Sequence, residues 1–510
     1  MAIIGSVIKR SFEIRERLPK IRKRDGYKQQ TKTLKKLLAK AEFTAFGEHY
    51  NFSKILGEED IIEAFQKTVG THDYSSMFKS WWHRTRDGEP NICWPGKIKY
   101  FALSSGTSES SSKYIPVTND MLKVIRKVSL RQMISLVHYG LPEEHFEKGV
   151  LMVGGSTDLK YNGIYYEGDL SGITTSTIPF YVQGYNKPGP RIASVRNWED
   201  KLQEITSNAK NWDIGIVCGV PAWIQILFEK IIREYNVETI HDIWPNLNVY
   251  IHGGVSFAPY KKGFEKLLAR PIVYMDTYLA SEGYVAFQTR QETDAMKMML
   301  DNGLFYEFVP FTPDNFDEDG NIVEKPQTLH IDQVKEGTEY ALLITTCSGA
   351  WRYLIGDVVK FTSVEKHEII IVGRTKHFLS LCGEHLSQDN MNKAIEMVSA
   401  ELKIDIKEFT VAGISYDTMF AHHWFIGTDD AVDPKVLKTR IDEILKELND
   451  DYKVERITAL KDVLVDVFPS QVFYDYMKTK GKVGSSFKFP RVLKKNQLLE
   501  WESYLKIKNK

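Results

Sequence analysis

The chain has 510 residues and a mass of 58.7 kDa, enough for two or three units at about 150 residues each, and a core of that size needs no disulfide or metal staple. Lys+Arg and Asp+Glu both number 67, so the formal net charge is zero, which excludes a chain that coats nucleic acid or anionic membrane through bulk charge. Hydrophobic residues at 43% and aromatics at 12% exclude low-complexity disorder.

At the N-terminus the apolar stretch Ala2-Ile3-Ile4 is too short for a signal-peptide core and is followed by dense charge. No run approaches the ~18 apolar residues that span a bilayer. The expectation is a soluble cytoplasmic protein with no membrane or nucleic-acid partner. Cys93, Cys218, Cys347 and Cys382 form no CxxC pair and read as reduced thiols. Residues 1 to about 70 read as helical: Leu34, Leu37, Leu38 and Ala41 recur at helical spacing with lysines between them. The basic run Lys20 to Lys28 reads as a solvated helix face or turn.

Residues 78 to 100 are aromatic and turn-rich. A short apolar run, a Gly/Ser/Thr loop and a helix from about Asn119 to Tyr139 follow, with Thr118 placed to cap it. From about 150 to 360, β-branched runs (GVLMVGG, DIGIVCGV, LNVYIHGG, PIVYMDTY, EYALLITT) alternate with helical segments such as Ala222 to Tyr235. That alternation predicts α/β layering. Glycines cluster at strand ends (Gly154-Gly155, Gly253-Gly254), where open α/β sheets carry ligand loops. DNFDEDGN imitates a calcium loop, but counting from Asn315 the twelfth position is Pro326 rather than Glu. It predicts a hairpin turn. After VGRTKHF the character changes: strands FTVAGISY and HHWFIGT, one clear helix Pro434 to Leu448, and a Gly/Ser/Lys loop predict a separate small α+β domain. His422 and His423 are neighbours in a strand and point to opposite faces, so one is expected packed and the other exposed.

Four constellations carry chemistry. Ser104-Ser105-Gly106-Thr107-Ser108, with Lys113 behind it, can converge N–H and hydroxyl groups on anionic oxygens. It is not a Walker A loop, since Ser111 and Tyr114 stand where Gly and Ser/Thr are required. Tyr278-Leu279-Ala280-Ser281-Glu282-Gly283 ends a strand with a carboxylate that can meet a hard cation beside phosphates. In Trp351-Arg352-Tyr353-Leu354-Ile355-Gly356-Asp357-Val358-Val359, Asp357 can accept from a ribose diol. In Phe487-Lys488-Phe489-Pro490-Arg491-Val492, Lys488 follows a flexible loop and can bring a positive charge into a site.

The order of SSGTS…K, Y-x-A-S-E-G, Y-x-x-G-D-V-V, G-R-T-x-x-x-L-S-L-x-G-E and K-x-P-R-V resembles the GH3 acyl-acid amido synthetases, members of the adenylate-forming superfamily. The resemblance runs through most of the chain and includes Val220-Pro221-Ala222-Trp223, Trp244-Pro245-Asn246-Leu247 and Phe305-Tyr306-Glu307-Phe308-Val309-Pro310. It implies an α/β fold. A large luciferase-like adenylation domain, 1–374, would have sheets flanked by helices and a β-barrel-like part. A small mobile α+β lid, 375–510, would be hinged at Arg374 to Lys376. It also implies that Ser104, Ser105, Gly106, Thr107 and Ser108 hold the phosphates of ATP and later AMP. Tyr278, Ala280, Ser281 and Arg374 would line the nucleotide, with Glu282 on Mg²⁺, Asp357 on the ribose, and Lys488 closing during adenylation. The implied reaction makes acyl-AMP and pyrophosphate from a small carboxylic acid, then transfers the acyl group to an amine, usually of an amino acid. A monomer is expected, because no long coiled-coil pattern is present.

Three departures from the family pattern stand out: Ser110 replaces a second loop glycine, His385 replaces a lysine, and Trp351-Arg352-Tyr353-Leu354 replaces Y-R-Y-R. Two rival readings keep the fold: a CoA ligase, and a non-catalytic binding homologue. A serine acyl hydrolase fits Ser110-Ser111-Ser112-Lys113 by letter but lacks its partner boxes.

Overall fold

The structure is a computed structural model and describes residues 3–17, 25–105, 112–178, 183–254, 257, 260–317, 320–376, 378–384, 386–479 and 489–508. The chain forms two compact units. One comprises Met1–Leu103 and Tyr114–Thr375, and the other contains Lys376–Lys510.

In the first unit, the helix Gly26–Ala41 buries Thr33, Leu34, Leu37, Leu38 and Ala41, the face its spacing predicted. Asp25 caps it by accepting from the Tyr27 and Lys28 amides. Thr118 caps Asn119–Ser135, accepting from Met121 N at 3.1 Å. The stretch after Asp73, read as turn-rich from residue 78, is helical through Arg86 and contains a π-helical turn, Phe78–Trp82. Trp82 lies in the core there, and its Nε1 donates to the Gly349 carbonyl at 3.2 Å.

Eleven strands make the main sheet. Their order is Leu304–Pro310, Glu339–Thr346, Tyr353–Ser363, Glu368–Arg374, Met296–Met298, Gly283–Phe287, Val273–Ala280, Val249–Gly253, Ile214–Cys218, Gly149–Met152 and Asn186–Lys187. The last five are mutually parallel, and the others pair antiparallel. Parallel strands end on one edge, so Gly154-Gly155, Gly253-Gly254 and Ser281-Glu282 fall along it. The barrel-like part takes the form of a curled antiparallel stretch, and the sheet stays open among the described residues. A separate four-stranded sheet holds Ser112–Val117, Tyr100–Ser105, Tyr166–Gly168 and Lys160–Tyr161. Phe316 bridges Ile322 and Asp317 N bonds Asn321 O, closing the predicted hairpin.

A buried ion pair fixes the start of the strand Tyr353–Ser363. Arg352, at φ +42°, donates from Nε and Nη2 to the Glu307 carboxylate at 2.9–3.1 Å. Its Nη1 reaches the Gln66 and Val69 carbonyls at 2.9 and 2.6 Å. Both side chains are almost wholly buried. Such a pair is costly to desolvate and holds only when every donor is satisfied.

In the second unit the sheet order is Leu460–Phe468, Met419–Thr428, Ile406–Tyr416, Val492–Leu493. The predicted helix Pro434–Leu448 is present. Four further helices, Gln388–Leu402, Asp450–Ile457, Ser470–Thr479 and Lys495–Lys508, were not singled out from the sequence. Trp501 gathers Phe473, Tyr476 and Phe489 at centroid distances of 4.9–5.1 Å. That aromatic core is why Ser470–Thr479 and Lys495–Lys508 fold here.

Arg352→Ala strands a buried carboxylate and is expected to cost ~3–5 kcal/mol, read as a lower urea midpoint. Adding Glu307→Leu to that variant restores a large part of the loss.

Candidate functional site

The strand Tyr353–Ser363 is bulged where the predicted site residue lies. Leu343 pairs with Leu354 and Ala341 with Val358, so Leu342 alone faces Ile355, Gly356 and Asp357. Gly356, at φ +92°, takes the left-handed turn inside this bulge, a conformation closed to most side chains. The next residue, Asp357, is thereby aimed out of the regular pleat. It pairs in register with Arg374, and Thr375 N bonds the Gly356 carbonyl at 2.8 Å. Another irregularity, between Tyr284 and Ala286, adjusts the strand beside Val273–Ala280.

These strands bring together three of the predicted residues. Tyr278 donates its phenol to Asp357 Oδ2 at 2.5 Å, and Arg374 Nε lies 3.0 Å from Asp357 Oδ1. Arg374 also donates to the Ile355 carbonyl at 3.2 Å. Burial, and then the Asp357 carboxylate beside it, push the Tyr278 phenol well above its ordinary value, so it remains a proton donor. Burial opposes the Arg374 charge, and Asp357 overrides it, holding the guanidinium above its ordinary value.

Glu282 is 8% exposed and sits in the turn between Val273–Ala280 and Gly283–Phe287. The Tyr353 phenol hydrogen-bonds it, and burial followed by the Glu282 charge raises that phenol's pKa. Gly283 is required after it, because a Cβ there would meet Leu304 Cδ2 at 2.7 Å. Ala280 and Ser281 are half-buried next to Glu282. Among the described residues no group of three or more His, Cys, Asp or Glu is arranged to hold a metal. A lone carboxylate at a strand end nevertheless suits Mg²⁺, which takes one or two protein carboxylates and fills its shell with phosphate oxygens and water.

Ser104 and Ser105 end the strand Tyr100–Ser105, and the adjacent strand opens at Ser112. Gly106, Thr107, Ser108 and the departure at Ser110 lie outside the described residues, as do Lys488 and His385. The residues after Lys488 are firmly held: Phe489 joins the Trp501 cluster, Thr410 Oγ1 donates to the Pro490 carbonyl, and Arg491 pairs with Glu408 at 2.8 Å.

Sequence reasoning missed two residues. Tyr353 opens the Y-x-x-G-D-V-V motif but received no role of its own from it; its phenol bonds Glu282, 71 positions away in sequence. Lys201 is 4% exposed, its Nζ donates to the Gly154 carbonyl at 3.2 Å, and burial brings its pKa down to about 8. Its signal was a lysine on the buried face of Trp198–Asn208, next to Leu202 and Ile205.

In the second unit, Glu384 of the L-S-L-x-G-E motif is fully buried. It accepts from Leu381 N, Cys382 N and His422 Nε2 at 2.8–3.0 Å. Against its burial, His422 and the amides hold it at about 2. His422 is the packed histidine of its pair. His423 is half-buried and bonds Asp466 at 2.9 Å. Nearby, burial pushes Glu455 up to about 8, with the Glu384 charge adding to it.

Family profiles match along the chain: a GH3 family N-terminal domain over 20–188, a central domain over 297–373 and a C-terminal domain over 389–497. A jasmonoyl–L-amino acid synthetase, JAR4 of Nicotiana attenuata, is 21% identical over 92% of this chain and 91% of its own length. An indole-3-acetic acid-amido synthetase, GH3.4 of Arabidopsis thaliana, is 27% identical over 42% of this chain and 38% of its own. Among solved structures, the GH3.15 acyl acid amido synthetase superposes with a TM-score of 0.60 at 15% identity, over 98% of this chain and 96% of that one. A 2-hydroxyisobutyryl-CoA ligase with its acyl-AMP and CoA superposes at 0.58 and 12% identity, over 94% and 92%. These two likenesses concern the fold.

The folded state keeps a proton on Glu455 up to about 8, whereas the unfolded chain releases it near 4.5. Stability from this group is therefore complete below that lower value and falls as pH rises toward 8, by at most ~1.4 kcal/mol per pH unit. Glu455→Gln is expected to flatten that slope in denaturation midpoints measured across the window.

Proposed function

The chain belongs to the GH3 family, and on that premise we propose that it is an ATP-dependent acyl-acid amido synthetase. It adenylates a small carboxylic acid, releasing pyrophosphate, and then passes the acyl group from acyl-AMP to an amine, most simply that of an amino acid.

The observation that carries this reading is Asp357 held between Tyr278 and Arg374 in a bulge near a strand-end carboxylate. A carboxylate offers about four acceptor positions. Tyr278 occupies one on Oδ2, and the Arg374 guanidinium neutralises Oδ1 as an ion pair, which leaves acceptor positions for the two hydroxyls of a ribose. Tyr278 orients that carboxylate. Ala280 and Ser281 line the nucleotide, and Ser104, Ser105, Gly106, Thr107 and Ser108 hold its phosphates. Glu282 holds Mg²⁺, which when bound screens charge on the phosphates. Lys488, on the domain 375–510, neutralises the α-phosphoryl group as the acid's carboxylate attacks phosphorus. Arg374 to Lys376 serves as the hinge from the domain 1–374. Little covalent help is needed from the chain, because positioning and electrostatic stabilisation lower both barriers. Among the described residues, no helix is long and apolar enough to cross a membrane. The four cysteines are free thiols, which suits the cytoplasm, and a monomer is the simplest working form.

The reading is tested by screening carboxylic acids for pyrophosphate release and then offering amino acids or CoA to the adenylate. An amide product supports it, and a thioester formed with CoA alone overturns it. Asp357→Ala is expected to weaken ATP binding by ~1.5–3 kcal/mol, the range of hydrogen bonds to charged groups. Lys488→Ala should abolish adenylation yet spare transfer from supplied acyl-AMP, and rapid-quench assays of the two half-reactions separate those effects.

A further inference from the structure

The helices Gly26–Ala41 and Asn119–Ser135 flank a cleft of about 830 Å³ within the first unit. Lys28, Lys32, Lys36 and Lys40 follow one another at four-residue intervals down one side, and Lys123 and Lys127 stand on the other. Side chains four apart share a helix face, and like charges there repel. The first helix carries no acidic residue among its sixteen to relieve that repulsion.

The acids that line the cleft already have other work. Asp25 caps the helix and lies 3.5 Å from Lys28. Asp120 takes Lys40 at 2.6 Å and the Trp94 indole N–H at 3.0 Å. Asp301 is clamped by Arg131 at 2.5 and 2.8 Å. Among the described residues, Lys32 and Lys36 pair with no carboxylate. The floor between the rows is apolar, formed by Leu37, Trp94 and Val124.

We propose that this cleft binds a small molecule carrying several phosphate groups on a compact body. Ammonium groups are point charges suited to phosphate oxygens. The volume is that of a small-molecule pocket. The lysines, though exposed, flank a concavity, into which a flat membrane or a duplex would not descend. The cleft is built from other residues than Tyr278, Glu282 and Asp357, so it is a second site and does not depend on the proposed reaction.

The test is isothermal titration of the full chain with myo-inositol hexakisphosphate at about 0.1 M salt. Binding at one equivalent is expected. It should weaken at least about tenfold in Lys32→Gln/Lys36→Gln, with a shallower salt dependence. Lys32→Arg/Lys36→Arg should retain it, and so should Asp357→Ala, which separates this cleft from the nucleotide site. Both lysines are exposed, so the variants are expected to fold, and an unchanged melting midpoint checks this. Equal affinity in the glutamine variant overturns the proposal. So does inorganic phosphate binding as tightly as the hexakisphosphate, or lysine-dependent binding only to phosphatidylserine vesicles or duplex DNA.

Discussion

The geometry of the first unit turns on a single desolvated carboxylate. Asp357 takes a phenol on one oxygen and a guanidinium on the other, and a charge with 15% side-chain exposure needs such partners. Its phenol comes from Val273–Ala280, a strand separated from Tyr353–Ser363 by three others in the sheet order. Two strands that far apart in a flat sheet could not share a hydrogen bond. The contact therefore requires the antiparallel stretch to curl, and the bulges at Leu354–Val358 and Tyr284–Ala286 are where it departs from regular register. At its start the same strand is pinned by Arg352 to Glu307 and to the backbone of residues 66 and 69. The opening stretch of the strand, from Arg352 to Asp357, is thus held by an ionic contact at each end.

What was legible in the sequence was whatever depends on neighbours. Alternating runs marked the parallel strands, Thr118 marked a helix start, and strand alternation separated His422 from His423. The resemblance to the GH3 pattern groups Tyr278, Glu282 and Asp357, and the structure brings Tyr278 and Asp357 into direct contact. The sequence could not disclose the contacts themselves. Tyr278 and Asp357 are 79 residues apart, and Arg352 and Glu307 are 45 apart. The tetrapeptide Trp351-Arg352-Tyr353-Leu354 read as a motif short of one arginine, whereas Arg352 is a buried brace and Tyr353 a hydrogen-bond donor to Glu282. The helices Ser470–Thr479 and Lys495–Lys508 carry no local mark because their buried faces mix aromatic and aliphatic residues and meet through Trp501 and the Tyr476–Tyr504 contact.

A formal charge of zero conceals two ways of handling charge. Inside, each unit keeps carboxylates where donors surround them, as with Glu307 and Glu384. At the surface, six lysines line the cleft between Gly26–Ala41 and Asn119–Ser135 against three aspartates, one of them clamped by Arg131. Composition averages both into one figure, so it describes solubility and says little about where anions are met.

The Thr375 amide bonded to the Gly356 carbonyl has a mechanical consequence. Together with the Arg374 side chain on Asp357, it clamps the last two residues of the first unit to the strand that bears the candidate ribose acceptor. The backbone at Arg374 and Thr375 cannot shift without pulling on the strand that carries Asp357, so the setting of that carboxylate is tied to the chain position where the first unit ends.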